Sequence, residues 1–332
     1  MKKITVIFVL LSYAIIFMGC DSQTFNIRKD VHTDPLPSWN QTITKQTIID
    51  YVTKVTKEGT ADFIPEEDRV ATFDNDGTLW AEHPLVQMEF MFYQIAQLLK
   101  KKPELANSQP FKAVAEKDED YLRSMNREEL GILMNASQTN RTSAEYEKEV
   151  KDFFTSFRYP GRNCSLSQIR YQPQLELIKY LQDHKFKVFI CSGGSTDFVR
   201  VISKDFYNIE PENVIGSSNK YSYIDSAGIN DLYITDELIS FNDKQAKPAN
   251  ILSHIGKRPV LACGNVGGGG DVYMLRYSQG SKYPNLQLIV NHNDKEREYE
   301  YEENPDVSLS MADEYQWLVI DMIDDWKVIF VK

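Results

Sequence analysis

The sequence predicts a doubly wound α/β fold: a mostly parallel sheet carrying an inserted α-helical domain. Three observations predict it. The run Val70-Ala71-Thr72-Phe73 is apolar and β-branched and leads straight into Asp74-Asn75-Asp76-Gly77-Thr78. A run of that length, bounded by turn formers, reads as a buried strand. From Gln174 onward, helical and strand patterns alternate, as in parallel strands joined by crossovers. Between these parts, from about Leu85 to Phe157, helical spacing follows helical spacing with no convincing strand. Such a block inside an α/β pattern reads as a separate lid.

Taken in order, residues 1–19 read as a signal peptide rather than fold. Lys2 and Lys3 make a positive start, Ile4 to Met18 is almost wholly apolar, and Gly19 precedes Cys20. The pattern resembles a bacterial lipoprotein signal, with Cys20 as the lipidated N-terminus. An uncleaved anchor and an ordinary secretory signal are the alternatives. The apolar stretch is shorter than the ~20 residues a spanning helix needs. Residues 20–37 are polar with two prolines near the end, a tether that lifts the body off the membrane. A helix is expected from Thr42 to Thr56, with Ile48, Ile49, Val52 and Val55 at helical spacing. The core is expected over 38–81 and 160–332 and the helical cap over 82–159. Within the cap, helices are expected to open at Val86 and to cover Lys112 to Met125, Arg127 to Met134 and Ser143 to Phe154. Beyond it come a helix to His184, a strand Phe186 to Cys191 and a helix Thr196 to Ser203. A short strand starts at Val214, a β-rich excursion covers Tyr221 to Ile234, and a helix covers Ala249 to Ile255. Strands are expected at Val260 to Cys263 and Leu286 to Val290, with an edge strand at Trp326 to Phe330.

Net charge is −11, and −13 without Lys2 and Lys3, which excludes non-specific nucleic-acid binding as a function class. Of four cysteines, Cys20 belongs to the anchor, leaving Cys164, Cys191 and Cys263. An odd remainder argues against a disulfide framework, and Cys191 and Cys263 end apolar runs, as core thiols do.

The chemistry gathers at strand ends. In a parallel sheet these open on one edge, so Asp74 and Asp76, Ser192, and Asn265 with Asp271 share a crevice. Alternation sends Asp74 and Asp76 to one side, where a divalent cation would compensate them and draw in a phosphate. A calcium loop fails on register, since His83 would fall at the twelfth position, where a bidentate Glu is needed. A plain glycine turn stays open as the alternative. Ser192 before Gly193 and Gly194 can present a hydroxyl and backbone N–H groups to phosphate oxygens, and Lys244 or Lys247 can reach over the edge to neutralise one. The run Gly264-Asn265-Val266-Gly267-Gly268-Gly269-Gly270-Asp271 is glycine-rich, as backbone that must approach a ligand closely tends to be.

These pieces, in this order, resemble the haloacid dehalogenase (HAD) superfamily over nearly the whole chain after the signal, with its Rossmann-like core. Phe73-Asp74-Asn75-Asp76-Gly77-Thr78-Leu79-Trp80, Ser192-Gly193-Gly194, Val214-Ile215-Gly216-Ser217-Ser218, Lys247-Pro248 and Val290-Asn291-His292-Asn293-Asp294 with Glu296-Arg297-Glu298-Tyr299 look like an envelope-associated branch related to phosphoserine phosphatases. The resemblance implies Asp74 as nucleophile and Asp76 as general acid and base. It implies Ser192, Gly193 and Lys247 as phosphate-binding groups, and a Mg²⁺ ion held by Asp74, the Asp76 main-chain carbonyl and Asp271. Asn265 stands where the fourth motif commonly has Asp and would be a weaker ligand.

The activity so implied is phosphomonoester hydrolysis on the outer face of a bacterial membrane, with a small phosphorylated metabolite as partner. Glu82, beside Trp80 and His83, suits an amine-bearing substrate such as phosphoserine, phosphocholine or phosphoethanolamine, through charge and cation–π attraction; Trp80 packed under the cap with Glu82 as a solvated hinge residue is the alternative. A 2-haloacid dehalogenase and a catalytically weakened binding lipoprotein of the same fold are the alternatives. Asp76 weighs against the first, because halide needs no proton donor as it leaves.

Overall fold

The computed structural model describes residues 34–226, 228–267, 270–301 and 307–332. The expected signal, Cys20 and most of the tether lie outside them. The compact unit begins at Pro35, and Leu36 is fully buried, so the tether expected to reach Pro37 gives way to folded chain earlier. Among the described residues no helix is long and apolar enough to cross a membrane.

Helix α1 (Ile43–Thr56) is capped by the Thr42 hydroxyl, which accepts from the Lys45 N–H. Strand β1 (Val70–Phe73) is buried throughout. Helices α2 (Val86–Lys101), α3 (Phe111–Glu116), α4 (Glu119–Ser124) and α5 (Arg127–Gln138) follow. The single helix expected over Lys112 to Met125 is two, because Lys117 turns left-handed at φ 55° and Asp118 caps the next turn through the Tyr121 N–H. Strand β2 (Arg141–Thr142) then interrupts the helices before α6 (Ser143–Ser156). No strand was expected there. A two-residue strand has no periodicity to read, and it exists through its partner in the sheet.

Helix α7 (Gln172–Asp183), β3 (Lys187–Ser195), α8 (Thr196–Tyr207), β4 (Val214–Ser226) and β5 (Ile229–Ser240) come next. The β-rich excursion is thus one long antiparallel hairpin continuous with the core strand at Val214. Helix α9 (Ala246–Ile255), β6 (Leu261–Asn265), α10 (Val272–Gln279), β7 (Leu286–Asn291), α11 (Val307–Tyr315), β8 (Leu318–Asp321) and α12 (Met322–Asp325) complete the chain. The edge strand is β8, not Trp326 to Phe330. That segment makes isolated bridges only, Trp326 to Trp39 and Phe330 to Tyr171, because its aromatic rings turn inward.

The strands form one sheet in the order β2-β5-β4-β3-β1-β6-β7-β8. Pairing is parallel from β4 across to β8 and antiparallel for β4–β5 and β2–β5. Alternation along the strands builds two cores. Ala71, Phe73, Val188, Ile190, Leu261 and Cys263 pack with α1, α7 and α8 on one face. Val70, Phe189, Cys191 and Ala262 pack with α9 and α10 on the other. Both faces are covered, so the central strands read as unbroken apolar runs. Met91, Ile95 and Leu133 give the helical insertion its own small core. The chain leaves β1 toward β3 on one side and reaches β6 on the other, a topological switch where open α/β sheets bind ligands.

Candidate active site

At that switch the strand β1 hands over to a turn held by its own backbone. The Asp74 N–H donates to the Cys263 carbonyl at 2.9 Å, and the Leu79 N–H donates to the Asn75 carbonyl at 2.8 Å. Gly77 sits at φ +69°, and a Cβ there would lie 2.2 Å from Asn265 Nδ2. The turn requires glycine on both counts. His292 clamps it from outside: Nε2 lies 2.7 Å from the Gly77 carbonyl, Nδ1 lies 3.1 Å from Glu298 Oε2, and the ring stacks on Tyr301 at 3.8 Å.

Asp74 emerges buried, and Lys247 from α9 lies across it. The ammonium donates to Asp74 Oδ1 at 2.6 Å and to Asp271 Oδ1 at 2.5 Å. Burial works against the charge of Lys247, but Asp271 and Asp74 outweigh it and hold the ammonium well above its usual range. Burial, and then the facing Asp271, push the Asp74 carboxyl well up. Asp271 Oδ2 accepts from the Asn265 N–H at 2.9 Å, and a Cβ on Gly264 would strike that carboxylate. Asp76 Oδ1 accepts from the Trp80 indole N–H at 2.8 Å. Burial outweighs this bond and raises the Asp76 carboxyl.

Ser192 is fully buried, and its hydroxyl accepts from the Gly194 N–H at 3.0 Å. Gly193 lines the same cavity as Asp74, Asp76, Lys244, Lys247 and Asp271, a space of about 750 Å³. The crevice expected from the strand ends is therefore a real concavity. Asn265 also reaches it, but its side chain is engaged: Oδ1 accepts from Thr78 at 3.2 Å and Nδ2 donates to Glu82 at 3.1 Å and to the Val266 carbonyl at 2.7 Å. Here the structure departs from the expected ligand set, because Asn265 ties the turn to Glu82 instead of presenting a free oxygen. Among the described residues no three His, Cys, Asp or Glu side chains converge as a metal cage. The pair Asp74 and Asp271 still fits a hard cation. Two buried carboxylates share one ammonium, and Mg²⁺ is commonly held by one or two carboxylates together with water and substrate phosphate.

Glu82 lines the cavity, and burial, with Asp76 next, pushes it up to about 8. Trp80 and His83 do not line it. Trp80 is fully buried, spent on Asp76 and stacked on Phe154, and His83 stacks on Tyr299 and meets Tyr301 edge-on. The indole face that would meet a cationic head group is covered, since Trp80 packs as core.

The sequence profile of the haloacid dehalogenase-like hydrolases matches residues 71–258, a span that holds Asp74, Asp76, Ser192 and Lys247. The chain belongs to that family. No curated protein matches it. Among solved structures, a conserved protein of unknown function from Anaerococcus prevotii is similar at TM-score 0.56 and 13% identity, covering 86% of this chain and 94% of that one. A phosphoserine phosphohydrolase-like protein from Francisella tularensis aligns at 18% identity and TM-score 0.37, covering 67% and 87%. A probable phosphoserine phosphatase from Vibrio cholerae aligns at 17% identity and TM-score 0.37, covering 70% and 58%.

Two further residues shape the hydrolase site without having been legible. Asn242, fully buried, donates from Nδ2 to the Ser192 carbonyl at 2.8 Å and takes Asn250 Nδ2 on its oxygen at 2.9 Å. Gln87 of α2 accepts from the Ser195 N–H at 2.8 Å, leaving a cavity-lining Nε2 with no partner among the described residues. Their only signal is position, an Asn just after β5 and a Gln in the first turn of α2. Gly77→Ala is expected to cost about 2 kcal/mol or more, from left-handed strain with Cβ present and from the collision with Asn265. Urea melts of the two proteins measure it, and equal midpoints would refute the turn's stated constraint.

Proposed function

We propose that this hydrolase is a Mg²⁺-dependent phosphomonoesterase that works through an aspartyl phosphate, held at the outer face of a bacterial membrane through Cys20. The observation that carries the proposal is the pair of contacts from Lys247 to Asp74 and Asp271 at the floor of the cavity, with Asp76 fastened beside them by Trp80. Lys247 takes Asp74 Oδ1, so Oδ2 is the oxygen that attacks phosphorus. The phosphorus–ester oxygen bond breaks, and Asp76 gives its proton to the departing alcohol. Burial keeps Asp76 protonated beyond its ordinary range, which suits an acid for the first step. Asp76 then accepts a proton from water as that water attacks the aspartyl phosphate, releasing inorganic phosphate and restoring Asp74. Lys247, the Ser192 hydroxyl and the N–H groups of the Gly193 turn hold the phosphoryl oxygens. A cation held by Asp74 and Asp271 would supply further charge neutralisation for the transferring group.

A dehalogenase would have no use for Asp76 as acid, so a buried Asp76 whose carboxyl burial raises favours phosphate ester chemistry. Asp76→Asn is expected to lower turnover roughly 10²–10⁴-fold on an alkyl phosphate, and less on p-nitrophenyl phosphate, whose leaving group needs little protonation. Release of phosphate measured with Mg²⁺ and with a chelator, for both proteins, tests the whole reading. Chelator-insensitive turnover, or an Asp76 variant equally active on the alkyl ester, overturns it.

A further inference from the structure

The cavity does not end at the carboxylates. From Asp74 and Lys247 it extends along α2 and α5, where Met88, Met91, Leu130 and Met134 line it, and Leu238 and Phe241 line it from the end of the hairpin. Among the described residues, α2 and α5 add the polar side chains of Gln87, Asn135, Ser137 and Gln138 to this lining but no charged one. Met91 is buried and belongs with Ile95 and Leu133 to the core of the insertion, so this wall is fixed from behind.

Size and chemistry decide what such a chamber takes. About 750 Å³ is the share of roughly twenty-five waters in the liquid, far more than a phosphoryl group needs. A sugar or a charged amine placed against the thioethers and methyl groups of this wall would leave most of the groups facing it unpaired, which is costly. Methionine walls suit flexible apolar chains, since the thioether bends to irregular shapes. Glu82, the carboxylate expected to meet an amine, is tied to Asn265 at the catalytic end.

We propose that the alcohol this enzyme releases is apolar: the substrate is a phosphomonoester whose ester oxygen carries an extended hydrocarbon chain, and Met88, Met91, Leu130 and Met134 select it. This rests on the phosphomonoesterase reading and names its substrate class. The experiment uses the Mg²⁺-loaded protein and n-alkyl phosphates from ethyl to octyl, with phosphoserine, phosphoethanolamine and a hexose phosphate alongside. The expected kcat/KM rises about fourfold per buried methylene until the chamber is full, and octyl phosphate exceeds all three polar esters. Leu130→Glu and Met134→Glu, both at partly exposed positions, are expected to pull the octyl-to-ethyl ratio toward one. A flat series, a polar ester preferred, or a slope that survives both variants overturns the inference. A flat series with turnover intact leaves the phosphomonoesterase reading standing. Displacement by alkylphosphonates of growing chain, read as thermal shift, gives an answer independent of turnover: no gain with chain length refutes the apolar chamber even for a protein that hydrolyses nothing.

Discussion

Asp74→Asn is expected to abolish phosphate release while the protein stays folded. The effect is total because Asp74 Oδ2 is the attacking atom, and an amide neither attacks phosphorus nor holds a hard cation as a carboxylate does. The fold survives because Lys247 keeps Asp271 as its partner at 2.5 Å. The sign of the stability change also follows. A carboxyl raised by burial costs stability at neutral pH, because the folded state holds it ionised away from water or pays to protonate it, whereas the unfolded state holds it ionised in water. A neutral amide removes that cost, so the melting temperature is expected to hold or rise. Rates from stopped assays and a thermal melt of the same sample settle both halves. More than a few per cent residual turnover would remove Asp74 as nucleophile.

Lys247→Met is expected to be the most destabilising change at the site. It leaves Asp74 and Asp271 buried and facing each other with no counterion, and breaking a buried pair from one side costs roughly 3–5 kcal/mol. Thioether and ammonium chains are of similar length, so the loss is electrostatic. Urea denaturation in the presence of a chelator measures it, and added Mg²⁺ is expected to return part of the loss by occupying the same pair. A midpoint shift under about 1 kcal/mol would mean that the lysine is not the ammonium on which these carboxylates depend.

Most of the sheet and its edge of carboxylates were legible because buried parallel strands print continuous apolar runs, and Asp74, Asp76 and Ser192 stand directly after such runs, whereas Lys247 was marked only by its place at the start of a helix. Helix α1 was legible through Thr42 and its apolar spacing. The hairpin was legible only as a β-rich excursion without its length or pairing, since Tyr223, Leu232 and Leu238 are exposed and alternate with polar residues of no fixed facing. Strand β2 has two residues and is defined by its partner. Trp80 stayed open in the sequence for a simple reason: a tryptophan beside a glutamate has the same letters whether its face is open to a ligand or, as here, covered by Phe154. Asn265 carries an oxygen that could ligate, and only the positions of Thr78 and Glu82 reveal that its side chain is already committed.

The seam between Trp39 and Trp326 sets the order in which the molecule can be finished. The two rings meet edge-on at 6.1 Å, the Asn40 N–H donates to the Asp325 carbonyl at 2.8 Å, and the Thr42 hydroxyl that caps α1 donates to Asp325 Oδ1 at 2.6 Å. Those partners are 283 residues apart for the Thr42 bond alone. Closing so long a loop is among the slow, late events of folding. Until then α1 holds its apolar side without the seal beside its cap.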